Sequence, residues 1–192
     1  MGAISTSQLA VISVYEYNPS TPSKLRRYIY VPDCQANDFC TLEFTQNGCS
    51  IVVCNKRQGF ILLMTLEGEV LSRHGVAVSE TTLEDVEPAA LNQAILSRYQ
   101  QPAHLLTSPV ICGMFDDKIL IADTGNFRLL LFDVDSKTFS VLDTGPISCV
   151  GAEKVENRLY VACTSAVDHS KFPGNERKYH VYENMLLLYG IE

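Results

Sequence analysis

Residues 118–133, Lys-Ile-Leu-Ile-Ala-Asp-Thr-Gly-Asn-Phe-Arg-Leu-Leu-Leu-Phe-Asp, decide how the rest of the chain is laid out. Residues 118–122 form one aliphatic, β-branched run and residues 129–132 form a second. Between them Asp123-Thr124-Gly125-Asn126 supplies turn chemistry: polar side chains that bond their own backbone, and a glycine free to take positive φ. The stretch predicts two strands joined by a tight turn.

The pattern recurs. Ile51-Val52-Val53-Cys54-Asn55 and Phe60-Ile61-Leu62-Leu63-Met64 fall on the two strands without a gap. Further on, Arg158-Leu159-Tyr160-Val161-Ala162 falls on the first strand, and Leu186-Leu187-Leu188-Tyr189 supplies the second after an insertion. Each copy follows a short apolar segment, at 40–44, 110–113 and 147–151. Two are followed by a turn and a fourth strand, at 69–73 and 138–142. Four short antiparallel strands per unit, repeated, predict an all-β fold: a partial β-propeller of about three to four blades. The expected division of the single domain 1–192 is a blade end at 7–32, a blade at 39–75, an insertion at 76–101, a blade at 102–145 and a last one at 146–192.

The insertion accounts for uneven spacing. The two fourth strands end at Gly75 and Gly145, farther apart than the roughly 40 to 50 residues of a propeller unit. Within 76–101 a short helix is expected at 87–99, with Pro88 in its first turn and Leu91, Ile95 and Tyr99 along one face. Glu80, Glu84, Asp85 and Glu87 sit where negative charge suits the helix dipole.

Asp123-Thr124-Gly125-Asn126-Phe127-Arg128, followed by a strand ending in Phe132-Asp133, resembles the core of the NHL repeat. The resemblance is carried by one repeat. The earlier copy has Asn55, Gln58 and Phe60 at the Asp, Asn and Arg positions, and the later one has Cys163 with its turn replaced by residues 164–184. It implies a propeller in which Asp123, Gly125, Asn126, Arg128 and Phe132 are structural, each buried charged bond contributing about 1–3 kcal/mol. It also implies a non-catalytic interaction module, a scaffold or a substrate-recruiting part of a ubiquitin ligase, although no RING or B-box pattern is present. The alternatives from similar propellers are a lactonase-like or amidating-lyase-like enzyme with a metal in the central channel, and an RNA-binding module.

Composition narrows the function. Apolar residues make up 46% of 192, which suits a globular chain. The net charge of −7 comes with no basic block, so phosphate neutralisation offers little to RNA and a protein partner is favoured. No apolar run reaches the roughly 18 residues of a membrane span. Met1-Gly2-Ala3-Ile4-Ser5-Thr6 has no secretory character but matches the myristoylation pattern at Gly2.

Seven cysteines, an odd number, lack zinc spacing and read as small buried residues in a reducing, cytoplasmic setting. No cofactor, metal site or catalytic residue is expected. His169 and His180 lie in a polar loop at no ligand spacing, the adjacent carboxylates Asp116-Asp117 and Glu84-Asp85 point different ways, and no nucleophile elbow occurs.

In Lys24-Leu25-Arg26-Arg27-Tyr28-Ile29-Tyr30-Val31, strict alternation would place Lys24, Arg26, Tyr28 and Tyr30 on one face, opposite Leu25, Ile29 and Val31. Such a face suits a partner, or an outer strand protected by charge. The blade count falls short of a closed ring. The expectation is therefore a piece of a longer chain or a self-associating unit with an exposed apolar side.

Overall fold

The computed structural model describes residues 9–35, 38–45, 48–77, 93–94, 97–98, 100–115, 117–144, 147–166 and 182–190. Its strands in chain order are β1 (Leu9–Asn18), β2 (Thr21–Gln35), β3 (Phe39–Phe44), β4 (Ser50–Asn55), β5 (Phe60–Thr65), β6 (Val70–His74), β7 (Val76–Ala77), β8 (Leu105–Leu106), β9 (Pro109–Phe115), β10 (Lys118–Asp123), β11 (Arg128–Asp133), β12 (Thr138–Thr144), β13 (Ile147–Val155), β14 (Arg158–Ala166) and β15 (Tyr182–Gly190). The chain is all-β. Its antiparallel sheets are the hairpin β1–β2, the four-stranded sheets β3–β4–β5–β6 and β9–β10–β11–β12, and the three-stranded sheet β13–β14–β15. β7 and β8 make a small parallel pair.

Strand alternation explains how the sheets meet. Successive side chains point to opposite faces, so a strand with no polar interruption is apolar on both. In β4 and β5 the side chains of Ile51, Val53, Phe60, Leu62 and Met64 pack with Ala10, Ile29 and Val31 of the hairpin. Their neighbours Val52, Cys54, Ile61 and Leu63 turn the other way, onto Ile119, Ile121, Leu130 and Phe132 of the next sheet. That sheet repeats the device: Leu120, Ala122 and Leu129 face Leu159 and Val161 of β14. Three apolar layers thus lie between four sheets taken in chain order. Burying one such aliphatic side chain contributes about 1.5–3 kcal/mol, so the doubly apolar strands hold the stack together.

The connection between the two four-stranded sheets is tied at both ends. β7 runs beside β8, and the Val76 amide donates to the His104 carbonyl at 2.9 Å. The β4–β5 turn is pressed against this pair. A Cβ on Gly59, whose φ is +61°, would lie 2.6 Å from the Leu106 oxygen and 2.8 Å from the Ala77 Cα, so only glycine fits.

Of the expected helix at 87–99, the described residues Gln93, Ala94, Ser97 and Arg98 have helical backbone, and the Ser97 hydroxyl donates to the Ala94 carbonyl at 2.7 Å. The rest of that segment lies outside the described residues, as do Gly2, Glu80, Glu84, Asp85, Asp116, His169 and His180.

Candidate functional site

The β10–β11 turn builds a fully buried polar cluster. Ala122 pairs with Leu129 and Asp123 with Arg128, so the strand register brings the aspartate and arginine side by side. Thr124–Asn126 close the turn as a short 3₁₀ segment, and Phe127 follows at φ 53°, in the left-handed region. A side chain there is uncommon and costs energy that the surrounding structure must supply. The surroundings are the bonds of this cluster.

Arg128 Nε donates to Asp123 Oδ2 at 2.8 Å, and neither side chain is exposed to solvent. The guanidinium also donates to the carbonyls of Leu105 at 2.8 Å, Pro102 at 3.1 Å and Gln101. Asp123 Oδ1 accepts from the Thr107 amide at 2.7 Å. Asn126 Nδ2 donates to Asp123 Oδ2 and to the Leu105 carbonyl, each at 2.9 Å. Burial pushes the Asp123 carboxyl above its usual range, against the Thr107 amide, Asn126 and Arg128, which all favour the ionised form.

These bonds bind the turn to the segment 101–107 that enters the sheet. Gly125 completes the fit, its amide donating to the Thr107 carbonyl at 2.9 Å. A Cβ at this position would come within 2.3 Å of Thr107 Cγ2. From the insertion, Arg98 donates to the Gly125 carbonyl at 2.7 Å and sits 5.7 Å from the Phe127 ring centroid. Phe132 is buried with its ring 4.9 Å from His74 and 4.8 Å from Phe139. The acceptors Gln101, Pro102 and Leu105 carry no sequence signal, since every residue has a carbonyl; their place just before the apolar run at 110–113 was the available cue.

The earlier copy makes the same tie with different groups. Asn55 accepts from the Gln58 amide at 2.8 Å and donates to the Asp33 carbonyl at 3.3 Å, again joining turn to incoming segment. Phe60 stands at the arginine position, and its ring is covered by the Arg73 guanidinium of β6, 3.8 Å from the centroid. Arg73 in turn lies 3.5 Å from Asp33. The positive charge thus comes from another strand. Arg57 of the turn approaches the buried Asp38 carboxylate of the incoming segment at 3.5 Å.

The four residues of β2 singled out from sequence do not all share a face. β1 and β2 are paired Val11 to Tyr30, Ser13 to Tyr28 and Val14 to Arg27, and then the register slips so that Tyr15 meets Leu25 and Glu16 meets Lys24. Arg26 is the extra residue of this bulge. Tyr28 and Tyr30 therefore share the outward face with Val11, Ser13, Tyr15 and Leu25, whereas Lys24 turns with Glu16 to the other side. Arg26 pairs with Glu16, and Arg27 donates to the Leu66 carbonyl. Tyr28 and Tyr30 are 54% and 62% exposed, enough for a ring face to meet a partner.

Two candidate sites result, a buried polar tie with its bonding groups engaged and an outward tyrosine face. No family model matches this chain, and no curated protein matches it significantly.

Proposed function

We propose that the chain is a non-catalytic protein-interaction module, part of an NHL-type β-propeller in which the stacked sheets are blades. The observation that carries the reading is the state of the motif residues. Arg128 spends its Nε and both terminal nitrogens on Asp123 and three carbonyls, and Asp123 has both oxygens occupied. Groups held this way, fully buried, fix a turn and have nothing to offer a substrate. The sheet-on-sheet succession and the recurrence of the turn-to-segment tie at Asn55 support the blade reading. The acidic charge and the tyrosine face support a protein partner.

As a scaffold or recruiting element it works by presenting surface, and the outward face of β1–β2 is the described surface best suited to that. Tyrosine brings large rigid contact area with a polar tip. A cytoplasmic setting accompanies this reading. Cys54, buried between sheets, donates its thiol hydrogen to the Pro109 carbonyl at 3.2 Å and packs as a small core residue.

The test places a photo-crosslinking amino acid at Tyr30 in cells expressing the chain. A discrete protein adduct is expected. An RNA adduct in its place, or no adduct together with metal-dependent turnover of a lactone or peptide substrate, would overturn the proposal.

A further inference from the structure

We propose that Cys149 and Cys163 form a redox-responsive disulfide, a covalent tie at the position where the two preceding sheets use hydrogen bonds. The inference concerns the sheet β13–β14–β15 and stands apart from the partner assigned to the tyrosine face. Strand register carries it. In three successive sheets the residue at the tie position lies opposite a defined residue of the sheet's first strand: Asn55 opposite Phe39, Asp123 opposite Pro109, and Cys163 opposite Cys149. Within the next few residues each first strand slips by one, between Phe39 and Thr41, between Ile111 and Gly113, and between Cys149 and Gly151. The three positions are therefore equivalent in the backbone as well as in the sequence.

What differs is the chemistry the position offers. Asp123 accepts from the Thr107 amide, and Asn55 accepts from the Gln58 amide and donates to the Asp33 carbonyl. A thiol is a weak donor and a weak acceptor, so a reduced cysteine is a poor substitute for either. The register partner supplies the alternative. Facing residues of an antiparallel pair have Cα atoms about 4.5 or 5.5 Å apart, according to the hydrogen-bonding pattern, and both separations fall within the roughly 4.4–6.8 Å that a disulfide spans. Cys149 is the third residue of β13, which starts at Ile147, and Cys163 lies three before the end of β14 at Ala166. A bond there fastens the open end of the hairpin, from which residues 167–181 lead on to β15. Cys54 and Cys112 are placed differently. Each donates to a carbonyl of β9, Cys54 to Pro109 at 3.2 Å and Cys112 to Val110 at 3.6 Å. The register sets Cys54 between Thr41 and Ile61, and Cys112 is the extra residue of its slip.

The oxidant is a hydroperoxide. One thiolate attacks hydrogen peroxide, takes up an OH group and releases hydroxide, giving a sulfenic acid. The second thiolate attacks that sulfur, the S–S bond forms and a second hydroxide leaves. The protons given up by the two thiols convert both hydroxides to water. Two thiols and one peroxide thus give one disulfide and two waters, the sulfurs losing the two electrons that the peroxide oxygens gain. In a reducing compartment the dithiol is the resting form, and the tie closes on oxidation.

Peptide mapping on the purified full chain tests the proposal. Trypsin places Cys149 on residues 138–154 and Cys163 on residues 159–171, with no other cysteine on either peptide. The chain is reduced, treated with hydrogen peroxide, alkylated, digested and analysed by mass spectrometry, and its urea midpoint is measured before and after oxidation. The two peptides should appear joined, separate again on treatment with dithiothreitol, and the oxidised chain should have the higher midpoint. Cys163→Ser should abolish the joined species and the shift in midpoint, and Cys112→Ser should leave both in place. If Cys163→Ser misfolds, the mapping of the unaltered chain decides alone. Sulfinic acid at either residue without a link, a link from either residue to a different cysteine, or a Cys149–Cys163 link that leaves the midpoint unchanged would overturn the proposal.

Discussion

Arg128→Ala should be among the most damaging single substitutions in this chain. The side chain is fully buried and donates to the Asp123 carboxylate and to the carbonyls of Gln101, Pro102 and Leu105. Removing it leaves a buried carboxylate without its countercharge and takes a donor from three carbonyls, of which Leu105 keeps Asn126 and Pro102 keeps the Leu105 amide. Breaking a buried pair from one side costs about 3–5 kcal/mol. That exceeds the 1–3 kcal/mol expected for one charged hydrogen bond, because the structure adds full burial and three further bonds. For a domain of this size it corresponds to a fall in melting temperature of roughly 6–20 °C. The loss should also depend on pH. Burial already holds the folded Asp123 pKa above its ordinary value against the pull of Arg128, and losing Arg128 raises it further. The folded variant then holds a proton that the unfolded chain releases, so stability is lost as pH rises through the folded pKa and partly returns on acidification. Urea denaturation followed by circular dichroism at neutral and mildly acidic pH measures both effects. A cost below about 1 kcal/mol at neutral pH would refute the reasoning, since surface arginines behave that way.

Gly125→Ala should destabilise by about 1–3 kcal/mol in the same assay, because its Cβ would lie 2.3 Å from Thr107 Cγ2 and an over-packed site must shift. Replacing residues 79–96 with a short Gly/Ser linker should leave cooperative melting nearly intact, since loop length costs little. Carrying the cut through Gln101 should not, because it removes the Arg98 contact with Gly125 and an acceptor of Arg128. His74 is held below its ordinary pKa, first by burial and then by Lys137. Its neutral form suits the fold, so the stability present above its unfolded pKa should be lost as pH falls toward the folded value. His74→Phe should flatten urea midpoints measured across that range.

Much of the strand plan was legible because it rests on side-chain pattern. Turn residues between aliphatic runs marked the β10–β11 hairpin, and uninterrupted apolar strands such as Ile51-Val52-Val53-Cys54 announced two buried faces. The buried tie was half legible: Asp123, Asn126 and Arg128 stood out by type and spacing, but their carbonyl partners could not. The insertion boundary was set at residue 101 for that reason, whereas Arg98 and Gln101 already belong to the tie. The bulge at Arg26 was illegible, since no glycine or proline marks it, and one extra residue moved Lys24 away from Tyr28 and Tyr30. Arg73 over Phe60 was equally hidden, because it joins strands distant in sequence.

The most direct measurement is tyrosine-selective labelling of Tyr15, Tyr28 and Tyr30, carried out inside cells and on the dilute purified chain. If the chain works by covering its tyrosine face with a protein partner, these three residues label well in the dilute sample and are protected in the cell. Equal labelling in both settings would contradict it.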